Sequence, residues 1–292
     1  MRNDLLKQLI ESMNTLSKGQ RLIATYILKH YEKAAFMTAA KLGETVGVSE
    51  STVVRFAIEV GFDGYPQLQK NLQELIRNRL TSIQRMEIMN EELNPSEILN
   101  RVMTLDAEKI KRTLEEVNRE KFSQAVDTII NAKNHYIIGI RSSNALCGFM
   151  AFYFNHIFPN VHTIGTNSSS EVFEQMIRIG KDDTLIAISF PRYSQRTLKA
   201  AQFAKKQGAT VIAITDSDSA SLAKIADITL IAKSDMASFV DSLVAPMSLI
   251  NALIVAIGNQ KKSEISKSYE ALEKIWDEYN VYERNNEEGE ND

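Results

Sequence analysis

Five short apolar runs in the second half of the chain constrain the fold more than any other feature of the sequence. They are separated by stretches with helical spacing, and they read HYIIGI, NVHTIG, DTLIAIS, ATVIAIT and ITLIAK. Near-continuous apolar runs, unlike alternating ones, are typical of strands that are buried on both faces, as in parallel sheets. Their alternation with helices predicts βαβ units, and therefore a doubly wound α/β domain with a mostly five-stranded parallel sheet.

The part of the chain before these runs has helical patterns only. SKGQ at 17–20 has the form of a capping box, Thr38 and Ser49 each precede a helical pattern, and Gly61 ends one. We therefore predict an α-helical domain at 1–80 and a linker at 81–95, which is rich in Met, Asn and Glu and ends at a proline. The α/β domain with two leading helices is expected at 96–265, and a C-terminal helix with an acidic tail at 266–292.

The formal charge of −3 is unevenly distributed along the chain. Residues 1–85 carry 12 Lys and Arg against 8 Asp and Glu, a balance of +4, so the remainder has a balance of −7. This indicates a small basic module on an acidic body. The single cysteine fits a reducing compartment, and we find neither a signal core nor an apolar run long enough for a bilayer. We expect a cytoplasmic protein with no membrane partner.

The stretch LGETVGVSESTVVRF has the pattern of a helix-turn-helix. Gly43 is the small residue where the two helices cross, Gly47 forms the turn, and Val48 and Val53 are apolar anchors. In this motif the start of the second helix faces base edges and phosphates in the major groove. The residues that we predict to contact DNA are Ser49, Glu50, Ser51, Thr52 and Arg55.

An ordinary helical hairpin has the same spacing. In that alternative, Ser49 caps its helix and Arg55 lies in solvent. Glu50 suits a role as a helix cap better than a contact to a cytosine amino group.

The runs SESTVVRF and GFDGYPQL resemble the DNA-binding module of RpiR-type bacterial transcription regulators. The resemblance covers about the first quarter of the chain. It implies a helix-turn-helix domain that binds operator DNA as part of a dimer, with a tetramer as the alternative. Gly43 departs from the family, in which alanine is more usual, and a glycine weakens a helix by up to ~1 kcal/mol.

Hydroxyl side chains follow the predicted strands where they end. Ser142 and Ser143 follow the first strand, and Ser189 and Ser194 lie in ISFPRYSQRT after the third. Ligands of doubly wound sheets bind outside the carboxyl ends of strands, where helix N–H groups attract anions. Arg192 and Arg141 would add positive charge. We interpret Ser217 and Ser219, after the next strand, as ordinary helix caps.

This half of the chain resembles the SIS (sugar isomerase) domain over about 120–265, on the runs IIGIRSSNA, DTLIAISFPRYSQRTLKAAQFAK and GATVIAITDSDSASLA. The resemblance implies that Ser143, Ser189 and Ser194 bind the phosphate of a phosphorylated sugar. Pro191 and Arg192 replace the middle serine and the glycine of the family loop, and the arginine is a candidate anion ligand in their place. The sequence has neither a Walker motif nor GxGxxG after the first strand, which disfavours a nucleotide.

Candidate catalytic residues are few. Glu171 is expected in a helix first turn or in contact with ligand hydroxyls, His156 lies in an apolar helix, and Cys147 is expected to be buried and inert. We find no nucleophile–base pair and no metal-ligand spacing, and we expect no cofactor. The sequence therefore favours a DNA-binding regulator that senses a phosphorylated sugar, with a phosphosugar isomerase as the alternative. It does not identify the sugar or the operator, and it leaves repression and activation equally open.

Overall fold

The computed structural model describes residues 4–76, 94–165, 168–234 and 240–282. Residues 81–93 of the predicted linker and 283–292 of the predicted acidic tail lie outside this part of the chain. The chain divides into two compact units, one up to Glu97 and the other largely from Ile98 onward.

The first unit is entirely helical within the described residues. Its helices are α1 (Asp4–Ser12), α2 (Lys18–Ala34), α3 (Ala39–Val46), α4 (Glu50–Glu59) and α5 (Tyr65–Ile76). Their buried side chains form one core, whose largest members are Leu9, Leu16, Ile23, Ile27, Leu42, Phe56, Leu68 and Leu72.

The expected helix caps are present. Ser17 Oγ accepts a hydrogen bond from Gln20 N, and Gln20 Oε1 accepts one from Ser17 N at 3.0 Å, which completes the capping box. Thr38 and Ser49 cap α3 and α4, and each accepts one hydrogen bond, from Lys41 N and Thr52 N respectively. Helix α5 begins at Tyr65 and has Pro66 in its first turn, where a proline lacks only an N–H that has no intrahelical partner.

The turn between α3 and α4 is built on two glycines. Gly47 ends α3 with a left-handed φ of 76°, which glycine adopts without a steric penalty. A Cβ atom on Gly43 would lie 2.8 Å from the carbonyl oxygen of Val48. Glycine at 43 therefore permits the close approach of the two helices here, which offsets its weaker helix propensity.

The second unit contains a five-stranded parallel sheet. Its strands are β1 (His135–Gly139), β2 (Val161–Ile164), β3 (Thr184–Ile188), β4 (Thr210–Thr215) and β5 (Ile228–Ile231), in the order β2-β1-β3-β4-β5. All neighbours are parallel. The predicted doubly wound sheet is thus confirmed, with all five strands on the runs that predicted them.

Helices precede, connect and follow the strands. They are α6 (Pro95–Glu116), α7 (Arg119–Asn131), α8 (Ser143–Ile157), α9 (Ser169–Gln175), α10 (Gln195–Lys206), α11 (Val244–Gln260) and α12 (Lys262–Glu278). Alternate strand residues enter two cores. Ile137, Ile186 and Ile212 pack with α7, α8 and α11, whereas Ile138, Leu185 and Val211 pack with α9 and α10. This double burial explains the continuous apolar runs.

The interpretation of Ser217 and Ser219 as helix caps is wrong. The segment 218–225 forms turns and not a helix. Ser217 Oγ accepts a hydrogen bond from Ser219 N at 3.1 Å, a local bond of the kind that competes with helix formation.

Candidate functional site

The sheet order places one crevice between β1 and β3. The chain leaves β1 through α8 toward β2 on one side, and leaves β3 through α10 toward β4 on the other. Ligands of doubly wound sheets bind at this switch point, outside the carboxyl ends of the strands. The loops that carry Ser143 and Ser189 follow these two adjacent strands, so the structure brings them to one edge, as expected.

The β1–α8 loop approaches its strand closely. A Cβ atom on Gly139 would lie 2.9 Å from Ser143 O and 2.7 Å from Cys147 Sγ, so only glycine fits without a shift. Ser143 is buried in the first turn of α8, whereas Ser142 is exposed and its side chain makes no cap hydrogen bond. No side chain therefore caps α8 at Ser142, while the N–H groups of Asn144 and Ala145 donate to the carbonyl oxygens of Arg141 and Ser142 at 3.0 and 3.2 Å. The positive end of the helix dipole at this turn attracts anions.

The β3–α10 loop presents two hydroxyls whose oxygens are already acceptors. Ser189 Oγ accepts from Ser194 N at 3.3 Å, and Ser194 Oγ accepts from Thr197 N at 3.3 Å. Each hydroxyl has one proton, and in the described part of the chain neither serine donates it. A phosphate oxygen accepts hydrogen bonds, so both serines suit an anion.

Each of the two loops contains an arginine whose backbone has a left-handed conformation. Arg141 has a φ of 61° and Arg192 a φ of 68°, and both are exposed. This conformation is uncommon for residues other than glycine, and it persists only where the surroundings hold it.

Contacts to β4 hold the β3–α10 loop. Ser189 N donates to Ile214 O at 3.1 Å, and the buried Thr215 Oγ1 donates to Ser189 O at 2.7 Å. Tyr193 OH donates to Oδ1 of Asp216 at 2.8 Å, and Asp216 is 3% exposed. Sequence reasoning missed Tyr193 and Asp216, because a hydrogen bond between residues 23 positions apart leaves no local pattern.

Glu171 lies where it was expected, in the first turn of α9, and its side chain is exposed. Helix α9 follows β2, the strand on the other side of β1. Glu171 is therefore carried by the same edge of the sheet as the serines.

The other titratable candidates are structural. Burial raises the pKa of Cys147 to about 12, as expected of an inert thiol. His156 is half-buried in α8 and its ring contacts Tyr269. His135 begins β1, at the opposite edge of the sheet, and burial lowers its pKa to about 4. Among the described residues, no group of three His, Cys, Asp or Glu side chains is arranged for a metal ion.

A groove of about 770 Å³ opens at that opposite edge, lined by residues that include Asp127, Lys181, Asp183, Thr184 and Thr210. Thr184 and Thr210 are the first residues of β3 and β4. The features that suit an anion, the start of α8 without a side-chain cap and the serine donors, lie instead at the carboxyl edge, where ligands of doubly wound sheets bind.

In the first unit, the predicted DNA-contacting residues lie on α4 and the residue that caps it. Ser49 Oγ accepts a hydrogen bond from Thr52 N at 3.3 Å, so Ser49 caps α4. Arg55 is exposed, and its Nε donates to Ser51 O at 3.2 Å. That bond does not use the two terminal nitrogens, the fork that matches the O6 and N7 atoms of guanine.

Helical spacing gives α4 one exposed face. The exposed side chains at this spacing are Ser51, Val54, Arg55 and Ile58. Sequence reasoning missed Val54 and Ile58, because an apolar residue on a helix is expected in the core. Their exposure, 37% for Val54 and 56% for Ile58, is the signal that only the structure supplies.

Both parts of the chain match known families. Residues 3–79 match the helix-turn-helix domain of the rpiR family, and residues 128–256 match the SIS domain. The chain belongs to the RpiR family of transcriptional regulators. In this RpiR-family chain, the first match spans α1–α5 and the second spans all five strands.

Relatives of this RpiR-family chain align over most of its length. It is 21% identical to an uncharacterized HTH-type transcriptional regulator of Caldanaerobacter subterraneus subsp. tengcongensis, covering 93% of this chain and 96% of that one. It is 22% identical to the HTH-type transcriptional regulator RpiR of Escherichia coli (strain K12), covering 73% and 70%. The Vibrio vulnificus NanR protein, solved as a complex with ManNAc-6P, has the same fold with a TM-score of 0.56, 18% identity and coverage of 93% and 98%. In the described residues of the RpiR-family chain, no helix is both long and apolar enough to cross a membrane.

Proposed function

We propose that this RpiR-family regulator binds operator DNA through α4 and a phosphorylated sugar or amino sugar through the carboxyl edge of its SIS domain. One observation carries the effector half of the proposal. The two adjacent loops at the switch point offer the positive N-terminal end of α8, which the Ser142 side chain does not cap, and two serine hydroxyls with protons to donate. The NanR protein with the same fold was solved with a phosphorylated amino sugar, which supports this ligand class.

The anion site is assigned to Ser142, Ser143, Ser189, Arg192, Ser194 and Glu171. The hydroxyls of Ser189 and Ser194 donate hydrogen bonds to the phosphate, which also lies at the first turn of α8. Arg192 adds a positive charge, which strengthens hydrogen bonds to an anion. The exposed carboxylate of Glu171 takes hydroxyl groups of the sugar, since an ionised carboxylate only accepts hydrogen bonds.

The DNA contacts are assigned to Ser49, Glu50, Ser51, Thr52 and Arg55. Arg55 reads a guanine, and the hydroxyls of Ser51 and Thr52 take phosphates or base edges. Ser49 and Glu50 shape the start of the helix. Val54, on the same exposed face, suits contact with a thymine methyl group.

In this proposal the SIS domain senses its ligand and does not convert it. An isomerase needs a base within hydrogen-bond reach of the substrate carbon. The buried His135 lies at the edge of the sheet away from the serines, and the proposal places the carboxylate of Glu171 against the hydroxyl groups of the sugar and not against a reacting carbon. An assay of the full protein for interconversion of ketose and aldose phosphates tests this, and measurable turnover would establish the enzyme instead.

We propose domain boundaries at 1–80 for DNA binding, 81–95 for the linker, 96–265 for the SIS domain with its leading helices, and 266–292 for the C-terminal helix and tail.

The regulator is cytoplasmic in this proposal. It is also a homodimer, because helix-turn-helix proteins read paired half-sites. Large apolar side chains left exposed on α6, such as Leu99, Met103 and Leu114, support assembly. Light scattering measures the oligomeric state, and a protein that binds DNA as a monomer would contradict the proposed dimer.

A thermal-shift screen tests the effector. Phosphorylated hexoses, pentoses and amino sugars, ManNAc-6P among them, are compared with their unphosphorylated counterparts on the full protein. A ligand at ~100 times its dissociation constant adds ~2.7 kcal/mol of stability.

Ser189→Ala with Ser194→Ala should abolish the shift. Because the second change also removes a helix cap, Thr38→Ala is the matched control, since it removes the cap of α3 only. An unchanged thermal shift in the double variant would mean that the phosphate binds elsewhere on the protein.

Selection from a random duplex library, followed by titration, tests the DNA contact. Arg55→Ala should lose ~1–3 kcal/mol of operator affinity and relax the preference at one position. Arg178→Ala, an exposed arginine of the second unit, controls for the loss of one positive charge. Equal affinities of the two variants would reject α4 as the reading helix.

A further inference from the structure

The β3–α10 loop carries three of the assigned anion ligands on a strained segment. Arg192 lies between Pro191, which is buried, and Tyr193, and its φ of 68° is unfavourable for an arginine. Such a residue persists only when contacts on both sides of it hold the backbone. The contacts of its neighbours therefore contribute to where Arg192 and Ser194 point.

On the strand side, the loop begins from a fixed residue. Ser189 is 4% exposed, its N–H extends the β3–β4 ladder to Ile214, and its carbonyl accepts from Thr215. On the helix side, Ser194 N donates to Ser189 Oγ at 3.3 Å. That distance is near the upper limit for a hydrogen bond, so it holds the far end of the loop weakly.

Tyr193 supplies a further contact between the far side of this loop and the sheet. Its hydroxyl donates to the carboxylate of Asp216 at 2.8 Å, the residue that directly follows β4. Asp216 is 3% exposed, and a hydrogen bond to a buried charged group is stronger than one between neutral groups. The contact thus attaches the residue after Arg192 to the end of the neighbouring strand.

We propose that the Tyr193–Asp216 hydrogen bond is a positioning contact of the effector site. It rests on the proposed function, because it acts on the residues assigned to the phosphate. Neither residue is proposed to touch the ligand. The bond keeps Arg192 in its left-handed conformation and keeps the Ser194 hydroxyl beside that of Ser189. Without it, the loop relaxes and the anion loses pre-organised donors, which lowers affinity.

Calorimetric titration of the full protein tests this contact. The probe is whichever of ManNAc-6P, ribose 5-phosphate, fructose 6-phosphate and inorganic phosphate binds the wild type most tightly. Tyr193→Phe removes one oxygen atom and should weaken binding about tenfold, as expected for the loss of a hydrogen bond to a charged group. Tyr65→Phe is the matched control, because Tyr65 OH donates to Met37 O at 2.7 Å in the first unit. It should leave the affinity unchanged, although it lowers the melting temperature.

Two variants of Asp216 separate positioning from general damage to the fold. Asp216→Asn keeps an oxygen that accepts from Tyr193 and should stay within about threefold of the wild type. Asp216→Ala loses the acceptor and should weaken binding about tenfold. Combining it with Tyr193→Phe should cost no more than either change alone, since both remove the same bond.

Three results would overturn the proposal. They are a Tyr193→Phe affinity equal to that of the wild type, equal losses in Asp216→Asn and Asp216→Ala, and additive losses in the double variant. If the wild type binds none of the probes, the proposed effector site itself fails, and the positioning contact fails with it. A wild type that binds while Tyr193→Phe binds equally well rejects the positioning contact alone.

Discussion

At the scale of single residues, two glycines of the second unit have opposite surroundings. Gly139 ends β1, and an added Cβ atom would lie 2.9 Å from Ser143 O and 2.7 Å from Cys147 Sγ. Gly148 is in the middle of α8 with nothing within 4 Å of such an atom. The same substitution should therefore have opposite effects at the two positions.

We expect Gly139→Ala to lower the free energy of unfolding by ~1–3 kcal/mol, because the first turn of α8 must move away from β1. Gly148→Ala should raise it by up to ~1 kcal/mol, because alanine favours a helix. Urea unfolding of both variants measures the two effects. A Gly139→Ala protein as stable as the wild type would mean that α8 does not sit this close to the strand.

His135 links the stability of the second unit to pH. Burial is the main reason that its pKa is lowered to about 4; Asp183 opposes this shift, and His162 adds a smaller lowering effect. The unfolded chain takes up this proton near pH 6.5, while the folded chain resists it until about pH 4. The stability that depends on neutral His135 is therefore complete above pH 6.5 and is lost as the pH falls toward 4.

The expected loss from this one group is ~3 kcal/mol across that window. His135→Phe cannot titrate, so its unfolding free energy should fall less steeply between pH 7 and pH 4. Chemical unfolding at several pH values measures the difference between the two slopes. Parallel slopes would show that the folded protein accepts the proton readily.

At the scale of elements, α6 is unusual because its buried residues are polar. Lys109 and Thr113 are buried, whereas Leu99, Met103 and Leu114 are exposed. Within the second unit the helix is held by hydrogen bonds, since Thr113 Oγ1 accepts from Lys233 N at 2.9 Å. Asp106, also on α6, accepts from Ser242 Oγ at 2.7 Å and pairs with Lys109 at 3.1 Å.

Thr113→Val should lower the free energy of unfolding by ~1–3 kcal/mol, because it leaves the N–H of Lys233 without its acceptor. Thr104→Val makes the same change at an exposed position of α6 and should stay within ~0.5 kcal/mol of the wild type. Thermal or urea unfolding checks both variants. Equal stabilities would show that packing and not this bond attaches α6.

At the scale of the whole molecule, the proposed function requires the two ligands to influence each other. If the phosphorylated sugar changes operator affinity by a given factor, DNA must change the affinity for the sugar by the same factor. Typical couplings of this kind are ~1–3 kcal/mol. Titrations of the full protein with DNA, at zero and at saturating sugar phosphate, measure the factor. An unchanged operator affinity would contradict the proposed regulation. If the sugar phosphate does change the affinity, a decrease indicates release from DNA and an increase indicates recruitment.

Much of the architecture was predictable because its causes are local or periodic. Continuous apolar runs predicted all five strands, and Ser17, Thr38 and Ser49 predicted three helix starts from caps that act over three residues. The prediction was wrong at Ser217 and Ser219, where a turn replaces the expected helix. In that segment Ser217 Oγ accepts from Ser219 N, a local bond of the kind that competes with helix formation.

The sequence by itself determined which residues are strands, which helices carry caps, and which loops bear hydroxyls, because each follows from side chains only a few positions apart. Only the tertiary structure decided that β1 and β3 are neighbours, that Gly139 must be a glycine, and that Tyr193 reaches Asp216. These depend on strand order and on contacts between distant segments. Such contacts become specific only when the apolar faces of several elements are buried together, and no single stretch of sequence contains that information.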